Sequence, residues 1–387
     1  MSISVKSPAS SVEFDLLCLI ARPKADLVRA RRLLRAGLDF SQLIRLAAEH
    51  GVRPQLLASL HRMSWEAVPA AARESLELYN RFHCARALSL AEELCRVAAA
   101  FAEKGLRFAA FKGPALAVAL YGDVSRRDYA DIDILVPEEQ VDAAERLLDS
   151  LGYRGDAGDR AFRRAFLGYL RQCAFVHPGI DAAIDLHWDF IGAHVPFPLT
   201  PAEVWRDLDH VSIGNHAIPT VSGANLALLL AGHGTKEVWR CLGWVCDFAM
   251  LLDRRPDLDW SEIHRRARAQ GCGDAVLLAC AMAGDLLETP VPQALHGPIG
   301  RSTRVRGLAA LLSRQLRGGL LESAKERNFA DFHLCDSRLR KLKAALRLAV
   351  TRTTGDYDAM KLPRALWPVY YATRPFRLVA KAVAAIR

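Results

Sequence analysis

From Leu106 to Val136 the chain reads LRFAAFKGPALAVALYGDVSRRDYADIDILV, an order of residues that few folds accept. An apolar run, Leu106 to Phe111, meets a Lys-Gly-Pro corner and a short helix, Pro114 to Tyr121. A polar loop then delivers Asp131 and Asp133 onto the start of a second apolar run. Side chains alternate faces along a strand, so the two aspartates point one way while Ile132 and Ile134 enter the core. Parallel carboxylates make half of a site for a hard divalent cation, Mg²⁺ or Mn²⁺, which shares oxygen ligands with substrate phosphates and water. The corner supplies the phosphate side. Gly113 admits close backbone approach, Pro114 suits the first helical position, and a helix N-terminus beside the Lys112 ammonium forms an anion site.

A third acidic residue lies in Ala182-Ala183-Ile184-Asp185-Leu186-His187-Trp188. Alternation puts Asp185 and His187 on one face, so a neighbouring strand brings Asp185 up to the first pair. Three carboxylates on adjacent strands hold two metals, one activating an attacking hydroxyl and the other stabilising the departing oxyanion of an in-line phosphoryl displacement. Three roles stay open for His187: contact with a triphosphate, orientation of a ligand carboxylate, or acceptance of a proton from the nucleophile.

These residues carry a resemblance. Lys112-Gly113, Leu120-Tyr121-Gly122-Asp123, Arg127, Asp131 to Val136, Asp185-Leu186-His187-Trp188, His233-Gly-Thr-Lys236 with Trp244 to Asp247, and the Tyr370 to Arg377 region together resemble a bacterial family of nucleotidyltransferases. That family belongs to the DNA polymerase β nucleotidyltransferase superfamily. The resemblance implies a small mixed sheet with helices, metal-dependent transfer from a nucleoside triphosphate such as ATP, and Asp131, Asp133 and Asp185 as metal ligands. The wider superfamily usually carries Gly-Ser at the phosphate corner, where this chain and the narrower family have Lys-Gly. Lys112 and the Gly113 to Ala115 amides are expected on the β/γ-phosphates. Arg127 is expected either to stabilise leaving charge or to brace the aspartate loop. The acceptor stays open among a small molecule, a biosynthetic peptide, a protein side chain and a tRNA end. Two alternatives use the same parts: γ-phosphoryl transfer, and a non-catalytic nucleotide- or membrane-binding module.

Around this core the expected class is α+β, mostly helical. The expected divisions are an N-terminal helical region (1–104), the nucleotidyltransferase core (105–200), a second helical region (201–330) and a basic helical tail (331–387). Helices are expected from Phe14 to Ala21, Leu27 to Ala36, Phe40 to His50 and Glu74 to Glu103, the last ended by Gly105, because apolar residues recur there at three and four. Glu138 to Leu151 reads as a helix, 154–164 as a loop, and Cys173 to His177 with Ala182 to Trp188 as a strand pair around Pro178-Gly179. Asn225 to Leu252 reads as one helix with a polar stripe of His233, Glu237, Arg240, Trp244 and Asp247, Lys236 beside it. That stripe faces solvent or lines a cleft where His233, Lys236 or Arg240 meets nucleotide or acceptor. Further helices are expected over Asp259 to Thr289, Thr303 to Glu326 and Ser337 to Thr351. His50, His61 and His83 lack ligand partners at metal spacing and read as structural or surface residues.

The formal charge of +9 over 387 residues is concentrated. From Arg338 to Arg387 twelve Lys or Arg stand against Asp356 and Asp358, a tail suited to an anionic membrane or nucleic acid, or to docking on the protein's own helices. Nine cysteines without a CxxC pair fit reduced thiols in a cytoplasmic protein. The first residues lack a leader pattern, and no apolar run reaches the roughly 18 to 20 residues of a spanning helix, so a soluble or peripheral protein is expected.

Overall fold

Alternation along short strands decides how the molecule is layered. The computed structural model describes residues 11–155, 162, 170–192, 195–318, 336–337, 339, 342–343, 346–347, 351 and 353–386. In it Ala110, Ile132, Ile134, Ile184 and Leu186 enter one apolar core, while Ala109, Phe111 and Leu135 enter another on the opposite face. Among the described residues β1 (Ala109–Ala110), β2 (Ile132–Leu135), β3 (Arg154–Gly155), β4 (Gln172–Val176), β5 (Ala183–His187), β6 (Leu208–Ile213) and β7 (His216–Val221) form one mixed sheet. Its order is β3-β4-β5-β2-β1-β7-β6, with β2/β5 and β1/β7 parallel and the other neighbours antiparallel.

Helices cover both faces, and the protein is α+β and mostly helical, as expected. The N-terminal set is α1 (Val12–Ile20), α2 (Leu27–Arg35), α3 (Phe40–Glu49), α4 (Arg53–Arg62) and α5 (Ala70–Glu103). Asp26 and Asp39 cap α2 and α3 by accepting from the Arg29 and Gln42 N–H groups. With 34 residues, α5 is about 50 Å long at 1.5 Å per residue and reaches both cores. Leu76 joins the first; Leu90, Leu94, Val97 and Phe101 join the second. Gly105, at φ +62°, follows its end. Next come α6 (Gly113–Tyr121), α7 (Val141–Ser150) and α8 (Pro201–Arg206).

The helix expected from Asn225 to Leu252 is two helices, α9 (Gly223–Lys236) and α10 (Leu242–Arg254). Val238 and Trp239 between them adopt left-handed φ of 57° and 48°. Packing imposes the break: Trp239 is fully buried, its N–H donates to the Gly234 carbonyl at 2.7 Å, and a Cβ on Gly234 would lie 2.5 Å from its ring. The reversal splits the expected polar stripe between two helices.

Elements not anticipated include α4, α8, α13 (Gln293–Arg301), the helix Thr354–Ala359 around Gly355, and the β6–β7 hairpin, which turns at Gly214 and inserts β7 beside β1. The hairpin lies within 201–330, the segment expected to be helical. The remaining helices are α11 (Trp260–Gln270), α12 (Gly273–Leu287), α14 (Thr303–Gly318), α15 (Thr354–Ala359) and α16 (Val369–Ile386). Arg154–Gly155, the start of the loop expected over 154–164, is instead the strand β3 paired with β4. The rest of that loop, the helix expected over 337–351 and the end of the helix expected to reach Glu326 lie mostly outside the described residues. In the tail, Trp367 and Tyr370 pack against Phe162, Leu170, Tyr357 and Leu362. Among the described residues no helix is long and apolar enough to cross a membrane.

Candidate active site

Parallel pairing of β2 with β5 sets Asp133 opposite Asp185. Two positions along β5, on the same face by alternation, stands His187. One ligand atom from each of Asp133, Asp185 and His187 lies within 4.8 Å of the other two. Lys112 Nζ approaches Asp133 Oδ1 at 3.3 Å, and His187 Nε2 reaches the same oxygen at 3.2 Å. Gln172, the cross-strand partner of His187 on β4, donates to Asp185 Oδ2 at 3.1 Å. Gln172 was not singled out from the sequence; its place in the strand pair is the feature that marks it.

Charge and burial set the protonation states. Burial alone would raise the Asp133 carboxyl, but Lys112 and the His187 hydrogen bond outweigh it and hold the group well below the usual carboxylate range. Asp131 moves the other way, raised by burial and by the neighbouring Asp133 charge against the pull of Lys112 and Arg127. Burial depresses His187, whose imidazole is partly restored by Asp133 and pushed down again by Lys112 and Lys236. The neutral ring donates from Nε2 to Asp133, and its buried Nδ1 has no hydrogen-bond partner among the described residues. The edge of the ring pair with Phe111, centroids 5.0 Å apart, fixes its plane.

Asp131 is half-buried just before β2 and is not part of the close ligand group. Its carbonyl lies against Gly113, where φ is +55° and a Cβ would sit 2.5 Å from the oxygen. Only glycine permits this approach of α6 to the aspartate loop. Of the expected Gly113 to Ala115 amides, Pro114 has no N–H, which leaves Gly113 and Ala115 as donors. Arg127 is turned to a buried partner, both oxygens of Asp247 on α10, and Tyr121 on α6 donates to that carboxylate at 2.8 Å.

The cleft over the carboxylates encloses about 160 Å³, with Phe111, Lys112 and Gln172 on one side and His233, Lys236 and Glu237 of the α9 end on the other. Burial, with Lys112 and Lys236 nearby, holds His233 well below the ordinary imidazole range, its ring edge-on to Trp244 at 5.1 Å. The structure does not bring Arg240 into this lining: it lies beyond the α9 end, exposed, 3.6 Å from Glu237 and over the Trp244 ring. A larger groove of about 850 Å³ between α5 and the hairpin contains Glu92, Arg96, Asp123 and His216, but the ligand-atom cluster lies in the smaller cleft.

A family model described as an uncharacterised nucleotidyltransferase matches residues 36–288, a span that holds every residue of the cleft. The chain belongs to this family. It is a transferase of the nucleotidyltransferase class, and the match stops short of the basic tail. Two solved structures resemble part of the enzyme. One is ANT(2'')-Ia in complex with adenylyl-2''-tobramycin, with TM-score 0.34 and 16% identity over 47% of this chain and 97% of that one. The other is a solution structure of the antibiotic-resistance factor ANT(2'')-Ia, with TM-score 0.33 and 15% identity over 47% of this chain and 89% of that one. No curated protein matches the nucleotidyltransferase sequence.

Proposed function

We propose that this nucleotidyltransferase moves a nucleoside monophosphate from a nucleoside triphosphate to an acceptor hydroxyl, with pyrophosphate leaving in line. The observation that carries the reading is the in-register Asp133–Asp185 pair facing Lys112 across one cleft. The donor set fits a divalent cation, because two carboxylates and an imidazole already converge within 4.8 Å. Asp133 and Asp185 would hold Mg²⁺ or Mn²⁺, and Asp131 would be the third carboxylate available to it. When bound, the cation lowers the pKa of the attacking hydroxyl and offsets charge on the leaving group.

The remaining roles belong to the chain's own side chains. His187 holds Asp133 in orientation through Nε2. Lys112 exchanges its Asp133 partner for the β/γ-phosphates, and Lys236 and His233 meet the triphosphate from the α9 side. Arg127 braces the aspartate loop through Asp247 rather than touching the leaving group. A cleft of about 160 Å³ is smaller than the roughly 300–1,000 Å³ of whole-ligand pockets, so it receives the phosphates while the nucleoside lies toward its mouth. The acceptor is a hydroxyl on a small molecule, a peptide, a protein or a tRNA end.

The test is label transfer with each nucleoside triphosphate labelled at the α-phosphorus, in Mg²⁺, over fractionated acceptors. Transfer that disappears in Asp133→Asn and Asp185→Asn supports the reading. Transfer of a γ-label instead, or α-transfer that survives both substitutions, overturns it.

A further inference from the structure

Over residues 369–378, helix α16 is amphipathic the wrong way round for a helix in water. Its inward stripe is Tyr370, Arg374 and Arg377: Tyr370 is fully buried, Arg374 is 3% exposed and 2.7 Å from the buried Asp356, and Arg377 pairs with the same carboxylate. Its outward stripe includes Val369 and Phe376, seven residues apart, and the Phe376 side chain is 78% exposed. The exposed surface includes Tyr371 in the first turn of the helix and Leu366 just before it, and it recurs at Leu339, Leu342 and Leu346, each more than half exposed at i, i+3 and i+7. Exposed Lys343, Arg347, Lys361 and Arg364 stand among these side chains.

We propose that the tail is an interfacial module that lays this face on an anionic lipid bilayer. Charge selects the sign of the partner: Asp356, one of two acidic residues among twelve basic ones, is already matched by Arg374 and Arg377. Apolar chemistry selects lipid over nucleic acid. Trp367 and Tyr370, rings suited to stacking on bases, are spent inside the tail's own cluster, and the exposed apolar surface is mostly aliphatic, with leucine, valine and methionine side chains outnumbering the two exposed rings, Tyr371 and Phe376. Apolar side chains ringed by Lys and Arg bind the boundary between headgroups and acyl chains, with affinity that falls in salt. The family match ends at residue 288, so the module lies outside the catalytic span, and the proposal does not depend on the reaction that the cleft performs.

The test is co-sedimentation of the full-length protein with vesicles of phosphatidylcholine alone and of phosphatidylcholine mixed with phosphatidylglycerol, at low and high salt. A parallel titration uses a single-stranded oligonucleotide. Binding is expected with the anionic vesicles only, weakened by salt. The surface double variant Leu366→Asp/Phe376→Asp should lose at least about tenfold in partition, because it removes apolar area and adds like charge. Circular dichroism and melting identical to the wild type show that the variant is folded. Three results overturn the proposal: no binding to anionic vesicles, equal binding by the folded double variant, or binding of the oligonucleotide in preference to vesicles.

Discussion

Arg127 donates from Nε to both carboxylate oxygens of Asp247, at 3.1 and 3.0 Å, across 120 positions of sequence. The pair ties the loop that leads to Asp131 and Asp133 to α10, and burial with the Asp247 charge keeps the Tyr121 phenol protonated as its third member. Asp247→Asn leaves a buried guanidinium without its counter-charge, at an expected cost of roughly 3–5 kcal/mol in chemical denaturation. A volume-matched apolar replacement of both partners should recover much of that stability without recovering transfer. Recovery of both would show that the pair has no positioning role.

Gly113→Ala places a methyl where the Asp131 carbonyl now sits, at a φ that alanine rarely adopts. The aspartate loop or α6 must move, and a shift of about 1 Å at a reacting centre costs on the order of 100-fold in rate. Label-transfer rates should fall by that order while the folded content seen by circular dichroism changes little.

Gly234→Ala separates the two-helix arrangement from the continuous helix that periodicity predicts. In a continuous helix alanine would stabilise by about 1 kcal/mol. Against the buried Trp239 ring, 2.5 Å from the added carbon, overpacking costs about 1–3 kcal/mol and wins. A lowered denaturation midpoint is expected; a raised one would restore the continuous helix.

The contrast between local and distant determinants explains what could be read from the sequence. Asp133, Asp185 and His187 were legible because period-two alternation is local and needs only the correct strand pairing. The Gly105 stop after α5 was legible for the same reason. The break at Trp239 was hidden because apolar spacing continues on both sides and a tertiary contact makes the turn. Gly214-Asn215 does mark the β6–β7 turn, but His210, Ser212 and His216 dilute the strand pattern around it. No local rule links Arg127 to Asp247 or Gln172 to Asp185, and alternation alone does not separate Asp131 from the closer trio.

His50 makes stability depend on pH. It is fully buried, accepts from the Leu242 N–H through Nδ1 at 3.4 Å, and its carbonyl receives the Gly243 N–H, so it joins α3 to the start of α10. Burial pushes its pKa down to about 4 from 6.5. A buried group with a depressed basic pKa stabilises fully above the unfolded value and loses that contribution as pH falls from 6.5 toward 4. The loss is of the order of 3 kcal/mol across that window. Denaturation at pH 7 and pH 5 should show the wild type weakening more than His50→Gln, which has no such proton to bind; parallel pH dependence would remove His50 as the cause.

Mn²⁺ titration followed by electron paramagnetic resonance tests the paired carboxylates most directly, because free and bound ion are counted without any acceptor. The wild type should bind, and Asp133→Asn and Asp185→Asn should each weaken binding by at least about tenfold, since each removes a ligand charge. Unchanged Mn²⁺ affinity in both folded variants would contradict the claim that Asp133 and Asp185 share a divalent cation.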